Sequence, residues 1–129
     1  MEVKFKNSNP SHYFCIVNRL AQSNFSRTFL VRRFSDEKLF ALKFIKPKNK
    51  QEYKNIKNEV AIMKMQSKSI VSCVDAYDFS EKLWIITELM DIGNLKRIFK
   101  DRKGKGIFDE KFCKYILRSV LQGLQFLHA

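Results

Sequence analysis

The chain has 129 residues, 45% of them hydrophobic and 13% aromatic, which suffices to bury a core and excludes a disordered tail. Four Gly and two Pro exclude a low-complexity linker. The formal charge of +12 raises nucleic-acid binding, but its aromatics fall at core-like positions rather than between the cations, so a solvated basic face is the better reading and nucleic acid is not an expected partner.

The predicted elements begin after a polar lead-in over 1–12. Tyr-Phe-Cys-Ile-Val-Asn-Arg-Leu at 13–20 reads as a strand, interrupted by polar residues 21–24. A second strand follows over 26–34, where Phe29 and Val31 alternate with Thr28 and Arg32. Residues 35–38 are a turn, and Leu39-Phe40-Ala41-Leu42-Lys43-Phe44-Ile45 is a buried strand with one charge inside it. The short connections predict an antiparallel meander. Beyond Pro47 the spacing of Tyr53, Ile56, Val60 and Met63 predicts a helix. Strands over 70–79 and 83–89 come next, then a short helix near 94–100. A basic loop leads to Asp109 as N-cap of a last helix, whose stripe of Phe112, Tyr115, Ile116, Val120, Leu124 and Leu127 is widened by Leu117 and Leu121. That helix is expected to be buried on several sides.

Cys15, Cys73 and Cys113 are scattered and odd in number, which argues against a disulfide framework and a zinc site and for small hydrophobes in a reducing compartment. The start has no apolar leader, and no apolar run approaches the roughly 18 residues a membrane span needs. The expectation is a soluble, cytoplasmic protein with no membrane partner.

Two charges stand out. Lys43 has apolar neighbours on both sides, and alternation puts it on one face with Ala41 and Ile45. Glu59 lies three residues from Ile56 and Ile62, on the edge of the helix's inward stripe. An ion pair between them is expected, because it would satisfy both.

These features resemble a known family. Ala41-Leu42-Lys43 is similar to the third-strand V-A-I-K motif of protein kinases, and Asn58-Glu59-Val60 to the glutamate turn of their C helix. Residues 83–95 resemble the fifth strand, hinge and next helix start, in the manner of Ser/Thr kinases of the sterile-twenty group. Gln122-Gly123-Leu124-Gln125-Phe126-Leu127-His128 resembles the end of the E helix. The resemblance implies an α+β fold. Its upper lobe, over 13–90, is a five-stranded antiparallel sheet with a C helix, and the start of a lower lobe follows over 91–129.

The resemblance also implies an ATP site. Leu20, Thr28 and Ala41 would sandwich the adenine. Lys43 would hold the α- and β-phosphates, oriented by Glu59. Thr87 is the gatekeeper, the Glu88 carbonyl and the Met90 amide would meet the purine edge, and Asp91 or Asn94 would lie near the ribose. Ala21, Ser23 and Ser26 occupy the places of the three glycines of G-x-G-x-x-G, with Phe25 at the tip. Each Cβ there should hold the loop off the phosphates, although the serine hydroxyls could act as donors. The H-R-D and D-F-G motifs are not found in residues 1–129. The polypeptide by itself is therefore expected to be inactive, with Mg2+ bound only when the C-terminal half is present. The expected function is the ATP-binding part of a Ser/Thr kinase acting on a protein substrate. The alternative is a pseudokinase-like module that engages a regulatory protein.

Overall fold

The computed structural model describes residues 4–24, 26–65, 67–90 and 110–128. Phe25, Asp91, Asn94, the short helix near 94–100 and the Asp109 cap lie outside them. Two compact units emerge: one combines 1–66 with 71–89, the other 67–70 with 90–129.

In the first unit a 3-10 turn, Pro10–His12, precedes strands β1 (Phe14–Gln22), β2 (Ser26–Arg33) and β3 (Leu39–Ile45). Helix α1 (Lys50–Met63) follows, then β4 (Cys73–Phe79) and β5 (Lys82–Thr87). The strands form one antiparallel sheet in the order β1-β2-β3-β5-β4. This is the five-stranded α+β arrangement expected from the sequence. Apart from Lys43, β3 is apolar along its length because both faces of the sheet carry a core. On one face Ile45, Leu83, Ile85 and Ala76 meet Ile56 and Val60 of α1. On the other, Phe14, Val31, Leu42, Tyr77 and Ile86 are buried beside Phe29, Phe40, Phe44 and Trp84.

Local signals fix the element ends. Asn49 caps α1 by accepting from the Glu52 amide at 2.8 Å, and the Glu52 carboxylate reaches back to the Lys48 amide at 3.2 Å. Tyr53 ties the same helix to β4 by donating to Asp78. Between Phe79 and Lys82 the hairpin has only two residues, Ser80 and Glu81, at φ 57° and 62°. Such a turn favours Asn-Gly, because a Cβ at positive φ is strained. Replacing the pair by Asn-Gly should stabilise the fold by about 1 kcal/mol, read as a rise in the urea midpoint at constant m-value.

The lead-in is less detached than its polarity suggests. The Lys6 amide donates to the Ala76 carbonyl at 3.0 Å, and the Asp78 amide donates to the Lys6 carbonyl at 2.7 Å, which sets Lys6 parallel beside β4. Its ammonium pairs with Asp75 at 2.9 Å, and Asp75 also accepts from the Tyr77 hydroxyl at 2.9 Å. Burial and that hydrogen bond push the Tyr77 phenol up. Phe5 packs on the core beneath α1.

In the second unit α2 (Glu110–His128) carries its close contact at Gly123, where an added Cβ would stand 3.3 Å from the Ser69 carbonyl oxygen. The glycine lets the segment 67–70 approach the helix backbone. β4 starts at Cys73 rather than at residue 70. The less exposed residues of the helix are Phe112, Cys113, Ile116, Ser119, Gly123 and Phe126. The broad stripe expected from the sequence is corrected accordingly: Tyr115 is 70% exposed and Leu121 63%, and Leu117, Val120, Leu124 and Leu127 are exposed too. Among the described residues no helix is long and apolar enough to cross a membrane.

Candidate nucleotide site

Antiparallel register determines which side chains share the face beneath α1. Lys43 of β3 stands between Thr28 of β2 and Ile85 of β5, and Ala41 stands opposite Thr87. Directly opposed residues point the same way, so these five converge. α1 adds Glu59, Val60 and Met63, and Ile45 completes a cavity of roughly 140 Å³. The sheet and α1 thus bring together Thr28, Ala41, Lys43, Glu59 and Thr87 of the residues singled out in the sequence. Ile85 and Met63 were not singled out. The i+2 alternation from Lys43 into its neighbour strands is the signal that would find Ile85.

The expected ion pair is not formed. Lys43 and Glu59 line the same cavity, yet neither makes an ion pair among the described residues. Both are exposed, so the ammonium and the carboxylate stay hydrated and pairing would add only about 0–1 kcal/mol. α1 is held by Ile56 and Val60, not by this charge pair.

Other predicted residues sit elsewhere. Leu20, 48% exposed, falls at an irregularity of β1 between Arg19 and Ala21, and does not line the cavity. Ala21 pairs with Thr28 and so lies on the cavity's face, beyond its lining. The Glu88 carbonyl accepts from the Thr87 hydroxyl at 3.3 Å, its amide donates to the Ser72 carbonyl at 3.3 Å, and its carboxylate accepts from the Ser72 amide at 3.2 Å. Met90 is exposed and belongs to the second unit.

The loop between β1 and β2 is closed by its own serines. The Ser23 amide donates to the Ser26 carbonyl at 2.9 Å, and the Ser26 amide donates to the Ser23 hydroxyl at 3.1 Å. The two hydroxyls lie 3.2 Å apart. The Ser23 and Ser26 amides are thus occupied within the turn. Among the described non-glycine residues positive φ occurs at Glu37, Ser80 and Glu81, so Ala21, Ser23 and Ser26 need no glycine for this conformation.

Cys15, Cys73 and Cys113 are free thiols. Burial pushes the Cys73 thiol up to about 11, which keeps it protonated and unreactive.

A hydrogen-bonded five-stranded sheet, one helix laid across it, and a lysine and glutamate facing one cavity define the upper lobe of a protein kinase. The chain belongs to the protein kinase domain family, whose model matches residues 14–129. It is similar to a probable serine/threonine-protein kinase of Dictyostelium discoideum, 29% identical over 127 residues that cover 92% of this chain and 11% of that protein. It is similar also to mitogen-activated protein kinase kinase kinase kinase 3 of Homo sapiens, 28% identical over 94% of this chain and 13% of that protein. A third relative, smooth muscle myosin light chain kinase of Gallus gallus, is 26% identical over 92% of this chain and 6% of that protein. The chain therefore spans a small part of the length of each. The resemblance to Ser/Thr kinases of the sterile-twenty group is consistent with these relatives.

Proposed function

We propose that the first unit is the nucleotide-binding lobe of a Ser/Thr protein kinase that transfers phosphate from ATP to a protein hydroxyl. The observation that carries this reading is the convergence of Ala41, Lys43, Glu59 and Thr87 on one cavity. At roughly 140 Å³ the cavity is smaller than the about 300–1,000 Å³ of a complete ligand site, so it receives only the part of the nucleotide that lies against the sheet. Ala41 leaves room for the flat base, and Lys43 presents a cation to the α- and β-phosphates. Glu59 lines the same cavity and would orient the amine. ATP supplies the transferable phosphoryl group; these residues bind and orient it. The magnesium donors are a different matter. Glu59 is the one carboxylate lining the cavity, and no group of three metal-ligating side chains forms among the described residues. The described residues do not fit a metal site.

A second reading, a pseudokinase-like interaction module, is favoured by the serine-closed loop. Nucleotide binding by the full chain, followed as a shift in melting temperature with ATP, tests both. Replacing Ala21, Ser23 and Ser26 by glycine frees the Ser26 amide and should tighten ATP binding by about two- to tenfold. A shift in the native sequence supports the kinase reading, and a shift only after glycine replacement supports the second. No shift in either protein overturns the nucleotide site.

A further inference from the structure

The sheet face turned away from α1 carries a second polar concavity beside the β1–β2 turn. Register builds it. Arg27 of β2 stands opposite Phe44 of β3, which stands opposite Trp84 of β5. Lys46 and Lys82 lie two residues along their chains from Phe44 and Trp84, and so fall on the same face. With Gln22 and Asn24 of the turn they line a cavity of about 570 Å³, and none of its lining residues is acidic. Phe44 packs edge-on against Trp84 at 4.5 Å, and the Lys82 ammonium stands 5.3 Å from the Phe44 ring centre.

The three cations are uncompensated. Lys6 and Arg33 each pair with a nearby aspartate, whereas none of Arg27, Lys46 and Lys82 has an ion-pair partner among the described residues. The fold holds three like charges around one concavity, and their repulsion falls when an anion enters. Hydrogen-bond donors accompany the charge. The Gln22 side-chain oxygen is already engaged by Arg19 at 2.8 Å, which leaves its NH2 group to donate.

We propose that this concavity binds a phosphate dianion, carried on a phosphorylated side chain or free in solution. Its single lining ring, Phe44, does not provide the row of stacking platforms a nucleic-acid strand needs, whereas the three cations suit a phosphate group. The site faces the opposite side of the sheet from Lys43, and of the residues assigned to the nucleotide it shares only Ser23 and Ser26 of the β1–β2 loop.

The test is a titration of the full chain with O-phosphoserine and, separately, with inorganic phosphate, followed by backbone amide NMR shifts at low and physiological ionic strength. Shifts are expected at Arg27, Phe44, Lys46 and Lys82. Lys46→Gln and Lys82→Gln should each weaken binding about fivefold, and the triple variant with Arg27→Gln about a hundredfold. Tighter binding of phosphoserine assigns the site to a phosphorylated side chain; binding of inorganic phosphate as tight or tighter assigns it to the free anion. Lys46 is exposed past the end of β3, so Lys46→Gln retains the fold and keeps the test decisive should the triple variant unfold. Absence of binding, unchanged affinity in Lys46→Gln, or shifts centred on Thr28, Lys43 and Ile85 would overturn the proposal.

Discussion

Lys43→Met in the full chain should weaken ATP binding by about ten- to a hundredfold, the worth of a hydrogen bond to a charged group, while leaving the melting temperature without nucleotide nearly unchanged. The second half of that expectation comes from the geometry. Lys43 is exposed and makes no ion pair among the described residues, so removing its charge breaks no described ion pair that holds the fold. Isothermal titration with ATP reads the first half and thermal denaturation the second. Equal affinity in the two proteins would remove Lys43 from the site. A large loss of stability would show instead that the lysine has a structural role.

Leu83→Ala should destabilise the first unit by about 2–5 kcal/mol. Leu83 is fully buried, opposite Ile45 in the sheet and in the same cluster as Ile56 and Val60 of α1. Its loss leaves a cavity at the contact that seats the helix on the sheet, where the close-packed surroundings collapse only partly. The adjacent Trp84 is the sole tryptophan and reports the transition by its fluorescence. A lower urea midpoint at unchanged m-value is the expected result. A loss below about 1 kcal/mol would mean that the helix is seated by other contacts.

The fold was legible where a local pattern sufficed. β3 lies over the residues its apolar run marks, because burial on both faces needs only apolar side chains in sequence. The helix period of Tyr53, Ile56, Val60 and Met63 was equally readable, and Asn49 and Glu52 supply the N-terminal cap. Features created by distant partners were not. Residues 67–70 approach Gly123, more than fifty positions away, and a hydropathy stripe weighted towards large residues cannot reveal a contact made at a glycine.

The site follows the same division. Alternation in β3 and the edge position of Glu59 were enough to bring Lys43 and Glu59 towards one cavity. Whether they touch depends on how far each charge remains in water, and sequence carries no record of that. The missing glycines between β1 and β2 were plain in the sequence. The way Ser23 and Ser26 satisfy each other was not, since it depends on the turn's three-dimensional closure.

The pairing of Lys6 with β4 bears on how molecules of this protein meet one another. The outermost strand of a sheet offers bare amides and carbonyls to any extended chain that passes, and such borders seed intermolecular growth. Here the Ala76 carbonyl and the Asp78 amide are already taken by the chain's own early residues. Self-capping of this border leaves fewer places for a second copy to add a strand.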